Sequence, residues 1–557
     1  MDFGWLSLLP PLVAILLAVV TRRVILSLLL AVFVAVAMLQ FPGDQSRSLA
    51  QRIVVDAPWS MVEEHLWYAI TGGDSLNPFA AIASVVSLDF RGAGDSLSAL
   101  ATSDHLRVFY FTMLFGALVG VLHAGGAMRS LVRRLAGRVQ SRRGGQMLIW
   151  LCGMLIFFDD YANTLMVGTT MRSTADRMGL SREKLAYLVD STAAPVAGLA
   201  LVSTWVATEI SYMSEGLAAL DTPQELTGFG LFLYSVPYRF YPIFALVLVV
   251  VVAWTGRDFG PMVAAESQAM SAAQGGSQTL QMRQHDAPAW TALLSIGAAI
   301  AAIVVVLIRT GGVDDPDVGL LNYWGQYIGN ADPYNSLIWG GLVGLVVASV
   351  TTYCWGPGAV GPLVLGALGG IRQLLLAKVV LLLAWTLSRL TTAEFLNTQG
   401  YLGDSIHAAN VAPAWIPSLV FVVAGAVAFA TGTSWGTMGL LVPLSISVAC
   451  ASSGDPVILY ATAGAVLSGA IFGDHCSPIS DTTVLSSQAS GCDHIAHVKT
   501  QVPYALLGAG VSVLLGSLPS GLGISPWWSL LGGAVVIFGV VCAIGKTPDA
   551  SGLQDAA

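Results

Sequence analysis

The sequence predicts an all-α polytopic membrane protein for three reasons. Charged residues are scarce, long apolar runs recur along the chain, and the polar clusters inside those runs are repeated in its two halves. Of the 557 residues, 55% are hydrophobic and only 10% are Asp, Glu, Lys or Arg, whereas soluble domains carry about 25% charged residues. Because so few charges cannot cover a water-facing surface, the composition excludes a soluble enzyme, a nucleic-acid-binding protein and a disordered scaffold.

Apolar runs long enough to span a bilayer as a helix, about 20 residues each, predict about 11 crossings. They lie at 5–20, 24–40, 106–126, 185–208 and 230–254 in the first half of the chain, and at 287–308, 335–354, 374–396, 457–487, 502–518 and 527–544 in the second. Two further apolar stretches, 146–171 and 415–450, are interrupted by polar clusters. The interruptions decide the predicted architecture.

The distribution of charge predicts the orientation of these crossings, because Lys and Arg favour cytoplasmic loops. Six Arg and no acid lie between Arg129 and Arg143, which predicts a cytoplasmic segment. The stretches 209–225 and 314–332 contain acids but no Lys or Arg, which predicts external loops. Counting through the crossings predicts an external N-terminus and a cytoplasmic C-terminus, in a cell inner membrane.

The two interrupted stretches are predicted to be re-entrant hairpins. Hairpin 1, at 146–171, breaks at 159–163 (DDYAN) and has cationic flanks on both sides. A simple crossing would place one of those flanks outside, whereas a hairpin keeps both in the cytoplasm. Hairpin 2, at 415–450, breaks at 431–436 (TGTSWG) and has almost no flanking Lys or Arg. It is predicted to re-enter from outside.

The polar clusters follow the same order in the two halves. In each half three crossings precede the hairpin, and a helix broken by an Asp, small residues and a Pro follows it, at 190–195 (DSTAAP) and at 474–478 (DHCSP). The halves start on opposite sides, and such an inverted repeat is the pattern of secondary transporters. The predicted divisions are a first repeat 1–254 with an external insertion 41–105, a cytoplasmic linker 255–286, a second repeat 287–520, and a C-terminal helix and tail 521–557.

Polar residues inside these apolar stretches are the candidate binding residues, because ionisable side chains at membrane depth are costly and are functional by default. Carboxylate, amide and hydroxyl oxygens are hard ligands that suit a small cation. Asp474 and Asp481 would share a helix face if the helix were regular between them. The candidates are Asp159, Asp160, Asn163, Asp190, Ser191, Thr192, Thr431, Thr433, Ser434, Asp474, Ser477, Asp481 and Thr482, with a cation expected at Asp190, Asp474 and Asp481.

Each candidate also has a structural interpretation. Adjacent residues of a helix face different directions, so one of Asp159 and Asp160 would face the site and the other a solvated hairpin turn. Asn163 would cap the second leg of hairpin 1, and Asp190 would cap its own broken helix. The hydroxyls at the break of hairpin 2 would be small residues for helix packing.

The sequence contains no Walker loop, nucleotide fingerprint or nucleophile–His–Asp constellation, and its six Cys form no C-x-x-C pair. It therefore predicts neither an ATP-driven pump nor an enzyme, and it predicts no cofactor. The expected partners are the lipid bilayer, a small cation and, in one interpretation, a small organic anion. No nucleic-acid partner is expected.

At its polar strings the sequence resembles the NhaC-type sodium/proton antiporter family, part of the wider ion transporter superfamily. The strings cover roughly 106–510 and are 158–163 (FDDYAN), 181–187 (SREKLAY), 190–195 (DSTAAP), 203–205 (STW), 431–437 (TGTSWGT), 472–483 (FGDHCSPISDTT) and 501–504 (QVPY). The resemblance implies exchange of Na⁺ for H⁺ by alternating access, and by analogy a homodimer.

Relatives within this resemblance leave a second interpretation open. Some couple Na⁺ and H⁺ to small organic acids, exchanging malate for lactate, and others resemble amino-acid carriers. A third interpretation, a membrane-embedded sensor or assembly factor that kept the fold and lost transport, is disfavoured by the intact polar strings.

Overall fold

The computed structural model describes residues 3–21, 23–40, 57–66, 104–137, 141–218, 226–273, 286–312, 331–356, 358–392, 394–398 and 411–548, and single residues at 139, 220, 327, 401, 405 and 408. Over these residues the chain is helical and has no β-strand, apart from one isolated bridge between Asp258 and Lys546. The all-α prediction is confirmed. Most of the predicted external insertion 41–105 and of the stretch 314–332 lies outside the described residues.

The helices before residue 274 contain hairpin 1 and the first broken helix. After a 3₁₀ turn (Gly4–Leu8) they are α1 (Leu9–Thr21), α2 (Val24–Gln40), a short turn (Ala57–Ser60) with a π-helix (Met61–Leu66), α3 (Asp104–Ala124), α4 (Ala127–Ala136), α5 (Arg142–Leu155), α6 (Asp160–Arg177), α7 (Arg182–Ala197), α8 (Val206–Ala218), α9 (Gly228–Ser235) with a 3₁₀ turn (Val236–Tyr238), α10 (Phe240–Thr255) and α11 (Met262–Ala273).

The helices after residue 286 contain hairpin 2 and the second broken helix. They are α12 (Ala289–Thr310), α13 (Pro333–Trp355), α14 (Val360–Leu390), a 3₁₀ turn (Pro413–Trp415), α15 (Ile416–Thr431), α16 (Ser434–Ser452), α17 (Pro456–Cys476), α18 (Asp481–Ser490), α19 (His494–Val511) with a π-helix (Ser512–Ser517), α20 (Leu518–Gly521) and α21 (Pro526–Ile544).

Many of these helices are long and apolar enough to cross a membrane. Among the described residues there are nine such helices, or ten if α9 and α10, which meet at 42°, form one span. The chain is therefore a multi-pass membrane protein. The predicted count of about 11 at spanning length differs because α1 and α2 have only 13 and 17 residues. In addition, the run 185–208 is split into α7 and α8, whereas both legs of hairpin 2 reach spanning length.

Both predicted hairpins consist of two helices separated by a short break, and the second helix of each begins with a side-chain cap. Asp159 caps α6 by accepting a 2.7 Å hydrogen bond from the backbone N–H of Ala162. Thr433 caps α16 by accepting a 3.4 Å bond from the N–H of Gly436. These caps satisfy backbone donors that would otherwise lack a partner at the start of each helix. The re-entrant path of the two hairpins remains a prediction.

Helices α3 and α14 cross with their backbones in contact. A Cβ atom added at Gly370 would lie 1.9 Å from the carbonyl oxygen of Gly116, and one added at Gly120 would lie 2.0 Å from that of Gly366. Each helix thus supplies a G-x-x-x-G pair, which allows close approach of membrane helices. Helices α2 and α13 pack against this crossing and α12 packs against α13, and the five helices are called the scaffold below.

Acidic residues of the predicted linker 255–286 pair with basic residues of the first repeat. The pairs are Lys184–Asp258, Arg142–Glu266, Arg129–Asp286 and Arg133–Asp286. Asp258 also forms the bridge to Lys546 near the C-terminus. The basic segment, the linker and the end of α21 consequently lie on one side of the molecule.

The predicted external loop 209–225 is partly wrong, because α8 extends through Ala218. Glu209 is buried and pairs with buried Arg239 at 2.7 Å, so its charge is neutralised inside the protein. Glu215 lies nearer the end of α8, where His105 contacts it at 2.8 Å. The first acid of this segment, Glu209, therefore lies inside the helical bundle, and Glu215 is more exposed than Glu209.

Candidate functional site

Asp190 joins three helices of the candidate site. It lies in the middle of α7 and is completely buried. Its carboxylate accepts hydrogen bonds from Ser486 (2.7 Å) and Thr483 (3.1 Å) of α18 and from the amide of Gln501 (2.6 Å) of α19. The cap of α7 is Ser181, so the interpretation of Asp190 as a helix cap is wrong. Both carboxylate oxygens accept hydrogen bonds, so Asp190 connects α7 to α18 and α19.

The second broken helix carries the other two predicted carboxylates. Helix α17 ends at Cys476 and α18 begins at Asp481, so the helix is broken between Asp474 and Asp481 and the two do not share one regular helix face. Pro478 lies in the gap, and a Pro disfavours helical backbone at the residue before it. Thr482, in the first turn of α18, donates a 2.9 Å hydrogen bond to Oδ2 of Asp474. The break thereby turns the hydroxyls of α18 back towards the end of α17.

Asp474 has one carboxylate oxygen available. The residue is buried, and its Oδ1 has no hydrogen-bond partner in the part of the chain that the structure describes. Thr483 binds the backbone carbonyl of Asp474 at 3.2 Å as well as the carboxylate of Asp190. A single threonine therefore connects the two buried carboxylate residues.

The break of hairpin 1 brings two more carboxylates into the interior. Asp159 and Asp160 are both buried, so the expectation that one of them faces a solvated turn is wrong. Besides capping α6, Asp159 accepts a 3.1 Å bond from Thr204. Neither oxygen of Asp160 has a hydrogen-bond partner among the described residues. Tyr161, next along the chain, donates to the carboxylate of Asp481, which connects hairpin 1 to α18.

Asn163 caps the first leg of hairpin 1 rather than the second. Its amide donates to the carbonyls of Gly153 (2.8 Å) and Ile156 (3.3 Å) at the end of α5. Its buried Oδ1 has no partner within the described ranges. Ser191 and Thr192 are buried in α7, and the Thr192 hydroxyl donates to a carbonyl of its own helix at 2.8 Å. Asn163 therefore brings an available oxygen to the site.

The hydroxyls around the break of hairpin 2 bond to the backbone, which supports their structural interpretation. The donors and acceptors are Thr431 to Val427 (2.8 Å), Ser434 to Ala470 (3.4 Å) and Ser477 to Phe429 (2.7 Å). Thr433 serves as the cap of α16. Among the residues that the structure describes, none of these four hydroxyls donates to a carboxylate.

The sequence-based prediction missed several residues that surround Asp190. Thr483, Ser486 and Gln501 bond to it directly, and Nε2 of His497 lies 3.6 Å from it. The available signal was helical spacing, because Thr482 and Ser486, like His497 and Gln501, are four residues apart and share a helix face. Gln501 also begins the string 501–504 that contributes to the family resemblance.

The side chains of this site offer mainly oxygen ligands and negative charge. Within the described ranges, no Lys or Arg pairs with Asp160, Asp474 or Asp481. No group of three or more His, Cys, Asp or Glu in that part of the chain is close enough to hold a metal ion. The site therefore offers separate carboxylate oxygens interleaved with hydroxyl and amide oxygens, an arrangement suited to transient occupancy by a small hard cation or a proton.

A model of the Na⁺/H⁺ antiporter family matches residues 196–518. The chain belongs to this family. A protein of Haemophilus influenzae described as uncharacterized is 31% identical over 500 residues, 90% of this chain and 88% of that protein. The malate-2H⁺/Na⁺-lactate antiporter of Bacillus subtilis is 38% identical over 94 residues, 17% of this chain and 19% of that protein.

The fold is also similar to that of a solved transporter. The crystal structure of the Alcanivorax borkumensis YdaH transporter matches with a TM-score of 0.57 at 15% identity, covering 91% of this chain and 99% of that one. The predicted family and the transporter fold are thus confirmed. As a member of an antiporter family, the chain is a transporter rather than an enzyme. The range matched by the family model includes hairpin 2 and Asp474, while hairpin 1 and Asp190 precede it.

Proposed function

We propose that this antiporter exchanges Na⁺ for H⁺ across the cell inner membrane by alternating access, without a cofactor. The observation that carries the proposal is the carboxylate of Asp474, which is buried and has one oxygen without a partner among the described residues. A buried carboxylate that lacks a cationic side chain needs a bound cation or a proton to neutralise it. Exchange of Na⁺ for H⁺ requires a carboxylate that can bind either ion in turn.

Two further carboxylates extend this site in the proposal. Asp160 brings two buried oxygens without partners, and Tyr161 connects the same hairpin break to Asp481. Asn163 and Thr482 would add neutral oxygens to the cation's ligands. Asp190 would hold α7, α18 and α19 in place through its three donors.

Competition for the same oxygens is the proposed basis of coupling. A carboxylate that binds Na⁺ cannot hold a proton on the same oxygen, and protonation removes the negative charge that attracts the cation. Because the site carries one kind of ion at a time, the two ions cross in opposite directions. The exchange then needs no ATP.

The proposed moving unit consists of both hairpins and both broken helices, which would carry the site past the scaffold. We place the basic segment, the linker and the C-terminus in the cytoplasm and the N-terminus outside, in accordance with the positive-inside rule. The ion pairs Arg129–Asp286 and Arg142–Glu266, which hold the linker against the basic segment, support this assignment. The repeat boundaries at 254 and 287 and a homodimer through the scaffold are part of the proposal.

The test is the pH change inside proteoliposomes when an Na⁺ gradient is imposed. We expect Asp474→Asn and Asp481→Asn to lose the Na⁺-dependent pH change, because an amide cannot exchange a proton for a cation. Asp455→Asn is the matched control, since Asp455 caps the opposite, exposed end of α17, and it should retain transport. Unchanged transport in both Asp474→Asn and Asp481→Asn would overturn the site.

A further inference from the structure

A buried lysine lies between the scaffold and hairpin 2. Lys378 of α14 is 3% exposed, and its ammonium donates to the Thr208 hydroxyl of α8 at 3.1 Å. Within the part of the chain that the structure describes, no carboxylate forms an ion pair with it. A buried ammonium without a counter-ion is costly, and an intramembrane charge marks a functional site by default. The Na⁺/H⁺ site described above uses none of its atoms.

The ammonium faces the start of α16, beyond the break of hairpin 2. It lies 5.9 Å from the centre of the Trp435 ring, in the first turn of that helix. The indole N–H of Trp435 and the hydroxyl of Tyr212 are both buried without a hydrogen-bond partner among the described residues. A Cβ added at Gly439, one turn beyond Trp435, would lie 2.8 Å from the Tyr212 oxygen. Helices α8, α14 and α16 meet here, and two of the donors that they bring, those of Trp435 and Tyr212, have no partner among the described residues.

This junction offers hydrogen-bond donors and positive charge, whereas Asp474 offers an acceptor and negative charge. An ammonium has three donors and no acceptor, and an indole has one donor and no acceptor. The N-terminus of α16 adds partial positive charge on the same side. A small carboxylate would supply the missing negative charge and accept hydrogen bonds from these groups.

We propose that Lys378, Trp435 and Tyr212 form a binding site for the carboxylate of a small organic acid. The site lies where the scaffold meets hairpin 2, so its occupancy would be coupled to the proposed movement of that hairpin. The inference rests on the proposed function, because it makes the organic anion a co-substrate of the Na⁺/H⁺ exchanger. It assigns the anion to the lysine junction and the cation to the carboxylates.

The test measures thermal unfolding of the purified protein in detergent at constant Na⁺ and ionic strength, with L-lactate, L-malate or chloride as the anion. For the wild type we expect lactate or malate to raise the unfolding temperature above that in chloride. Lys378→Met should lose this rise, and Lys378→Arg should retain part of it. Arg372→Met is the matched control, because Arg372 is an exposed cation on the same helix, and it should keep the full rise.

A second variant keeps the test decisive if Lys378→Met does not unfold cooperatively. Trp435→Phe keeps an aromatic ring but removes the N–H donor, so it should weaken the anion effect severalfold. An anion effect that is unchanged in Trp435→Phe and in any cooperatively folded Lys378→Met would overturn the site, as would its absence from the wild type. Replacing Na⁺ by choline in the wild type reports separately on cation binding. Stabilisation by Na⁺ without any anion effect would refute this inference and leave the proposed exchange standing.

Discussion

The hydroxyl of Tyr161 donates a hydrogen bond to the carboxylate of Asp481, and it thereby connects the break of hairpin 1 to the first residue of α18. We expect Tyr161→Phe to weaken apparent Na⁺ affinity about three- to tenfold, because a hydrogen bond to a charged group contributes about 1.5–3 kcal/mol and part of that loss is recovered by relaxation. The measurement is the Na⁺ dependence of the pH change in proteoliposomes.

The matched control for this prediction is Tyr234→Phe. Tyr234 is partly exposed and stacks on Tyr460 with ring centres 5.0 Å apart, far along the chain from both breaks. It should leave the Na⁺ dependence unchanged. If Tyr161→Phe and Tyr234→Phe gave the same curve as the wild type, Asp481 would not need its tyrosine partner to bind Na⁺.

Gln501→Leu should destabilise the site through Asp190. The Gln501 amide donates to the Asp190 carboxylate at 2.6 Å and to the carbonyl of His475 at 2.9 Å. Leucine removes both bonds from a buried carboxylate, so we expect a loss of about 1.5–3 kcal/mol in stability together with slower transport. Thermal unfolding in detergent checks the first effect and proteoliposome assays the second. Gln488→Leu, at an exposed position on α18, should change neither.

The sequence alone could identify single residues of this site, but it could not identify partners that lie far apart along the chain. Asp474 and Asp190 could be selected because ionisable residues are rare in apolar runs, and their selection needed no knowledge of packing. Their partners could not be selected in this way. Gln501 bonds to Asp190 across 311 positions of the sequence, and only the packing of α19 against α7 brings the two together.

The local role of a side chain could not be predicted where two physical interpretations were equally compatible with the sequence. The side chain of Asn163 is able to cap either leg of hairpin 1, and only the structure shows that its amide bonds to the end of α5. Lys378 was missed although it is the sole ionisable residue in the run 373–388. An orientation derived from Arg clusters makes no use of an isolated lysine, and only its burial between three helices identifies it as a candidate.

The α3–α14 crossing predicts opposite outcomes for two adjacent glycines. Gly370→Ala places a methyl group against the carbonyl of Gly116, whereas a Cβ at Gly369 meets no atom of the described structure within 4 Å. We expect Gly370→Ala to cost about 1–3 kcal/mol through overpacking, and Gly369→Ala to be neutral or slightly stabilising because Ala favours helix. Thermal unfolding of the two variants checks this difference. Equal melting temperatures would show that the scaffold tolerates separation of these helices.

The buried pair Arg239–Glu209 provides a test of why a charge is kept inside the bundle. Arg239 donates to Glu209 at 2.7 Å, to the Ser235 hydroxyl at 3.1 Å and to the carbonyl of Gly198 at the end of α7. Arg239→Met leaves Glu209 buried without its partner, which should cost about 3–5 kcal/mol. Adding Glu209→Met removes the unpaired charge and should restore at least half of that stability, as measured by thermal unfolding in detergent. If the double variant is no more stable than Arg239→Met, the arginine stabilises the protein mainly by capping α7, and the charge of Glu209 contributes little.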